Sequence, residues 1–192
     1  MPVRSTIGAK PDPGPSLEDR CRAIELLVAD VDGVMTDGVI AIDDRGVETK
    51  HFHVRDGTAF VLWKRAGKRS AIISGRSAEA VARRAAELEI GLLFQGIANK
   101  AKTFRALLGQ LGLDPRQACF VGDDLADLSI FGIPSLGLAA CPADAAPEIL
   151  GRAHLVARGA GGQAVIREVV ETILKAQGHW DRLADAYLSA ID

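Results

Sequence analysis

Leu26-Leu27-Val28-Ala29-Asp30-Val31-Asp32-Gly33-Val34-Met35-Thr36-Asp37-Gly38 decides how the chain reads. An apolar run, Leu26 to Ala29, ends in two aspartates one residue apart, followed by Gly, Thr, Asp and Gly. The run predicts a buried strand and the residues after it a turn. Ligands of open α/β sheets sit outside the carboxyl ends of the strands. Two carboxylates therefore stand where such a sheet does its chemistry.

Outward from this stretch the pattern alternates. Ser16-Leu17-Glu18-Asp19 opens a short helix, with Ser16 as its cap. Residues 38–54 predict a β-hairpin inserted after the first strand: an apolar Gly38 to Ile42, a turn at Asp43 to Gly46, and an alternating Val47 to Val54. On that hairpin His51 and His53 share a face, which suits packing against another subunit better than metal binding, since no third ligand is near. Helices are then expected at Gly57 to Ala66, at 77–88 and at Lys100 to Leu111. Strands are expected at Ser70 to Ile73, Gly91 to Phe94 and Ala118 to Val121. Ser135 to Leu138 is a further apolar segment, Ala153 to Val156 a last strand, and a long helix starts near Gln163. Alternating β and α elements imply an α/β fold: a Rossmann-like parallel sheet flanked by helices and joined by right-handed crossovers. The expected organisation is a disordered tail at 1–15, rich in Pro, Gly and Lys, and one domain at 16–192.

Composition narrows the class of function. At 192 residues the chain is long enough for one domain with a sizeable core. A net charge of −2 and 5% aromatic content give no reason to expect nucleic acid or a membrane surface as partner. No apolar stretch reaches the roughly 18 residues of a membrane span. Cys21, Cys119 and Cys141 are scattered, without metal-site spacing, and fit thiols in a reducing, cytoplasmic setting.

Three expected strand ends carry polar groups: Asp30/Asp32, Ser74-Gly75-Arg76 and Asp123/Asp124, with Lys100 opening a helix between the last two. Parallel strands bring such ends to one edge. Carboxylates gathered there repel unless a cation joins them, and a hard, all-oxygen site suits Mg²⁺. An ionised aspartate can act as nucleophile in phosphoryl transfer, and a second carboxyl can serve the leaving and attacking oxygens as acid and then base. The set reads as Asp30 nucleophile, Asp32 acid/base, Ser74 phosphate donor, Lys100 charge neutraliser and Asp123 metal ligand. Each has a plain structural alternative. Aspartates are common in turns, and Ser74 can simply cap the helix at 77–88. Lys100 and Lys102 point roughly 200° apart on a helix, so only one of them can face the site.

Asp-x-Asp-Gly-x-x-Thr, Ser-Gly-Arg, a Lys and Gly-Asp-Asp-x-x-Asp, in that order, resemble the haloacid dehalogenase superfamily of phosphatases. Val54-Arg55-Asp56-Gly57, Gln95-Gly96 with Asn99-Lys100, and Val121-Gly122-Asp123-Asp124-Leu125 bring the chain closer to the 3-deoxy-D-manno-octulosonate 8-phosphate (Kdo 8-phosphate) phosphatase family. The resemblance implies a Mg²⁺-dependent phosphatase without a large cap domain, acting on a sugar-acid phosphate through an aspartyl-phosphate. It implies a homotetramer assembled by the hairpin, in which a neighbouring subunit helps close the site. It also implies that Asp30, Asp123 and the backbone carbonyl of Asp32 hold the metal, that Asp124 and Asp127 support them, and that Arg55, Gly75 and Arg76 contact substrate. One segment departs from the family pattern: Gly161-Gly162-Gln163-Ala164 carries Gln where many members have Arg, and Ala where they have a third Gly. A nine-carbon, sialic-acid-like 9-phosphate is the rival substrate. A non-catalytic assembly or regulatory subunit is the rival of a different class.

Overall fold

The computed structural model describes residues 14–188; the expected tail therefore lies outside the described residues except for Gly14 and Pro15. Strand β1 (Leu26–Ala29) is the centre of a six-stranded sheet, and every one of its residues is fully buried. Sheets covered on both faces need unbroken apolar strands, which is why this run does not alternate. β4 (Arg69–Ile73) and β5 (Leu92–Phe94) lie on one side of β1; β6 (Ala118–Val121), β7 (Leu138–Cys141) and β8 (Leu155–Val156) lie on the other. All of these pairings are parallel, with Val28 level with Ala71 and Phe120. The order reverses at β1, so the crevice at its carboxyl end is where a ligand of such a sheet belongs.

Alternate residues of β1 feed two cores. Leu27 and Ala29 face α1 (Leu17–Arg22), α2 (Val54–Arg65) and α7 (Val165–Ala176), where Phe60, Trp63, Val169 and Ile173 are buried. Leu26 and Val28 face α4 (Lys100–Leu111) and α5 (Leu128–Phe131). There Phe120 stands edge-on to Phe104 and Phe131, with centroids 6.1 and 6.2 Å away. The remaining helices are α3 (Glu79–Glu87), α6 (Pro147–Leu150) and α8 (Trp180–Leu188). Among the described residues no helix is long and apolar enough to cross a membrane. The three cysteines are free and buried.

Several expected boundaries move. Ser16 caps α1 as expected, its Oγ accepting the Asp19 N–H at 3.2 Å. The hairpin is present but short: β2 (Ala41–Ile42) pairs antiparallel with β3 (Glu48–Thr49). His53 is not on a strand. Its Nδ1 accepts the Arg55 N–H at 3.2 Å and caps α2, which starts at Val54 rather than Gly57. The apolar segment at Ser135 to Leu138 gives only its last residue to a strand: β7 is Leu138–Cys141, because backbone pairing with β6 selects that register. The long C-terminal helix is two, broken after Ala176 by a turn in which Gly178 has φ +70°.

The departing segment carries a measurable strain. Ala164 sits at φ +66°, ψ +36°, immediately before α7. A left-handed conformation costs a Cβ-bearing residue roughly 1–2 kcal/mol, part of which glycine's greater unfolded-state entropy offsets. Ala164→Gly is therefore expected to stabilise the fold by about 1 kcal/mol, read as a melting temperature about 2–4 °C higher. An unchanged or lower melting temperature refutes this. Gly161 admits no such exchange in the other direction: a Cβ there would lie 2.2 Å from the Gly33 carbonyl oxygen, in the turn that follows β1.

Candidate active site

The strand ends converge as their sequence predicts. Asp30 follows β1 and donates its N–H to the Val121 carbonyl at 2.9 Å. Ser74 follows β4 and donates its N–H to Phe94 at 2.9 Å, while its Oγ accepts the Arg76 N–H at 3.3 Å. Lys100 opens α4, which Asn99 caps by accepting the Lys102 N–H at 2.9 Å; Lys102 itself is exposed. The Lys100 ammonium, buried, lies 2.7 Å from Asp30 Oδ2 and 2.7 Å from Asp127 Oδ1. Asp127 Oδ2 accepts the N–H of Asp123 at 3.0 Å and of Asp124 at 3.5 Å. Both oxygens of this fully buried carboxylate are thus committed to holding Lys100 and the loop after β6 in place.

Asp30, Asp123 and Asp127 offer carboxylate oxygens that all lie within 4.8 Å of one another. Such crowding raises proton affinity. Burial first, then the Asp127 charge, pushes Asp30 up to about 6 against the pull of Lys100. Burial, then Asp30, Asp127 and Asp124, push Asp123 up to about 7. Lys100 is raised: burial works against its charge, but Asp30 and Asp127 outweigh it. One cation among three carboxylates leaves the cluster short of positive charge, and its donors are all hard oxygens. The Asp123 carboxylate lies directly against the turn after β1, where a Cβ on Gly33 (φ +83°) would stand 2.0 Å from Asp123 Oδ2. These residues fit Mg²⁺.

A cavity of about 300 Å³ opens over this cluster, lined by Asp30, Asp32, Gly33, Gly38, Ser74, Gly75, Arg76, Lys100, Asp123, Asp124 and Ala126. Of the expected site residues it lacks Arg55 and the covered Asp127. Arg55 lies on a separate, larger cavity of about 810 Å³ with Arg158, Gln163, Ala164 and Arg167. The carboxylates of that larger space, Glu168 and Glu171, are paired with Arg158, Arg167 and Lys175, and none of the residues lining it lines the aspartate cavity. The departures Gln163 and Ala164 line the larger space too.

Asp32 lies outside the carboxylate cluster and meets Lys50 of the hairpin region, which with its partner Glu48 sequence reasoning missed. The Lys50 ammonium contacts Asp32 Oδ1 and lies 2.9 Å from Glu48 Oε1. Arg76 closes the ring: Nη2 donates to Glu48 Oε2 at 2.9 Å, and Nε lies 3.7 Å from Asp32 Oδ2. Burial opposes the charge on Lys50, yet its bonds to Asp32 and Glu48 leave its proton affinity raised. The available signal was Glu48 and Lys50, oppositely charged and two apart, on one face of the predicted hairpin.

No protein-family profile matches the chain. Individual proteins do. The 3-deoxy-D-manno-octulosonate 8-phosphate phosphatase of Escherichia coli (strain K12) is 42% identical over 158 residues, 82% of this chain and 83% of its own. The crystal structure of the Moraxella catarrhalis enzyme of that name, in complex with magnesium, phosphate and KDO, superposes with a TM-score of 0.85 at 34% identity, covering 88% of this chain and 97% of its own. The cobalt-bound Haemophilus influenzae deoxy-D-mannose-octulosonate 8-phosphate phosphatase gives a TM-score of 0.83 at 34% identity, covering 88% and 99%. With two-fifths of its residues shared across most of both lengths, the chain belongs to the 3-deoxy-D-manno-octulosonate 8-phosphate phosphatase family of the haloacid dehalogenase superfamily.

Proposed function

We propose that the chain is a Mg²⁺-dependent phosphatase that hydrolyses 3-deoxy-D-manno-octulosonate 8-phosphate to Kdo and phosphate in the cytoplasm. The observation that carries this reading is Lys100 bridging Asp30 and Asp127 at the mouth of the central strand, with an Asp123 carboxylate oxygen within 4.8 Å of both acids. The substrate comes from the relatives' names and from the KDO and phosphate in the Moraxella complex.

Asp30 attacks phosphorus as the P–O bond to the sugar breaks, forming an aspartyl-phosphate. Asp32 passes its proton to the departing alkoxide oxygen. As a carboxylate, Asp32 then takes a proton from water; the hydroxyl attacks phosphorus, the P–O bond to Asp30 breaks, and phosphate leaves. Lys100 and the Ser74 hydroxyl neutralise the phosphoryl oxygens, and Gly75 and Arg76 flank them. Asp30, Asp123 and the Asp32 carbonyl would hold magnesium, which when bound adds positive charge beside the phosphoryl group. Asp127 and Asp124 shape this set from behind and from the rim.

Arg55 reaches substrate in this reading only from a second copy of the chain. Val39, Ile40, Ile42 and Val47 leave the hairpin with exposed apolar side chains, which favours its burial in a homotetramer. Light scattering on the purified protein reads that mass directly, and a monomer sinks the assembly.

The deciding experiment is phosphate release from Kdo 8-phosphate, from a nine-carbon sugar-acid 9-phosphate and from simple sugar phosphates, with Mg²⁺ or with EDTA. Mg²⁺-dependent preference for Kdo 8-phosphate is expected. Preference for the nine-carbon ester moves the substrate and keeps the chemistry. No turnover of any ester overturns the enzyme reading and favours a non-catalytic assembly subunit.

A further inference from the structure

We propose that Lys50 is the positioning residue for Asp32: it holds the acid/base carboxyl on the leaving-group side of the cavity and so couples the hairpin to the first chemical step. The inference rests on the phosphatase reading above.

Asp30 and Asp32 stand two residues apart at one strand end, yet their carboxyls need different neighbours. Asp30 is held by Lys100. Nothing in the turn itself holds Asp32 away from that cluster; its polar contacts come from Lys50, eighteen positions on, and from Arg76. The Lys50 side chain is only 1% exposed, so its ammonium cannot relax into solvent and has its partners fixed. Glu48 anchors it from the far side at 2.9 Å, and Arg76 in turn anchors Glu48 at 2.9 Å. Lys50 and Arg76 alternate with Asp32 and Glu48 around this ring, so each of the two carboxyls is flanked by both cations. Lys50 grips Oδ1 while Arg76 stands at the longer distance of 3.7 Å from Oδ2, so the carboxyl is directed chiefly by a covered point rather than by a mobile surface chain.

Leaving-group basicity reads this role out. A sugar alkoxide needs its proton as the P–O bond breaks; a nitrophenolate leaves almost unaided. kcat/KM reports the steps through alcohol loss, so a misplaced Asp32 penalises the alkyl ester selectively. Lys50→Met removes the ammonium and keeps the stem. It is expected to lower kcat/KM about 100-fold on Kdo 8-phosphate and less than about fivefold on p-nitrophenyl phosphate, the range set by general-acid catalysis. Lys50→Arg keeps the charge but displaces it, and is expected to show the same selectivity at about tenfold on the alkyl ester; it carries the test if Lys50→Met does not fold. Asp32→Asn is the reference. If it shows the selective loss while both Lys50 variants lose equally on the two esters, or on neither, Lys50 does not position Asp32. If Asp32→Asn itself lacks the selectivity, the acid role assigned to Asp32 falls, and the assignment of Lys50 falls with it.

Discussion

Asp30→Asn is expected to fold and to lose turnover by about 10⁴-fold or more, as removal of a covalent nucleophile does. The fold does not need the charge: Lys100 keeps Asp127 at 2.7 Å, and removing one of three crowded carboxylates lessens repulsion. Melting without Mg²⁺ should therefore match or exceed that of the native chain. Retained phosphate release in this variant sinks the proposed mechanism.

The same crowding fixes a pH dependence. Burial and mutual repulsion push Asp30 up to about 6 and Asp123 up to about 7, above the value of 3.8 usual for an aspartate. The fold therefore binds these protons more tightly than the unfolded chain does, and stability falls as pH rises through the window from about 4 to about 7. Metal-free protein should melt higher at pH 5 than at pH 8. Mg²⁺ should close that gap, because it competes with the same protons for the same oxygens. A metal-free melting temperature that rises with pH across this window refutes the crowding argument.

Lys100→Met should have the largest effect on stability, destabilising the fold by about 3–5 kcal/mol, the usual range for breaking a buried ion pair from one side. Asp127 is fully buried and loses its cation, keeping only two backbone donors; Asp30 loses its neutralising partner as well. Asp30, which burial already pushes up, then favours the protonated form still more. The loss should consequently be smaller at pH 5 than at pH 8, since protons replace the missing charge. Urea unfolding at the two pH values measures it. A loss below about 1 kcal/mol at pH 8 would show that the triad relaxes into solvent rather than staying buried. Turnover in this variant should also collapse, as a phosphoryl-neutralising charge is gone.

The parts that local chemistry fixes were legible in the chain itself. Leu26 to Ala29 is apolar at every position, short, and bounded by a Gly-rich turn, the pattern of a doubly covered strand, and Asp30 then falls at its carboxyl end. Lys100 reads as the first residue of a helix, and the structure adds Asn99 as its cap, whose oxygen needs only the N–H three residues on. Ala118 to Val121 runs into Gly122-Asp123-Asp124 for the same reason as β1. Asp30, Ser74, Lys100 and Asp123 meet because parallel strands point their ends one way.

Other features were decided by contacts between distant residues. Leu138–Cys141 contains Ala139 and Ala140, weak strand formers, and becomes β7 only through its hydrogen bonds to β6. Val54 joins α2 because the His53 ring folds back on the helix start, an alternative that alternation along the hairpin concealed. Arg55 and Arg76 looked alike as candidate cations, yet one lines the aspartate cavity and the other a different surface, a separation set by where α2 and the loop after β4 sit. Asp127, one acid of Gly-Asp-Asp-x-x-Asp, becomes a buried clamp because the 3₁₀ turn at Leu125–Asp127 aims it at Lys100. By itself the sequence determined which residues end the strands, since burial and capping act over a few neighbours. Only the tertiary structure decided which charges face one another, because a side chain's electrostatic partner is chosen by distance in space, and Lys50 reaches Asp32 only once the hairpin has folded over the strand end.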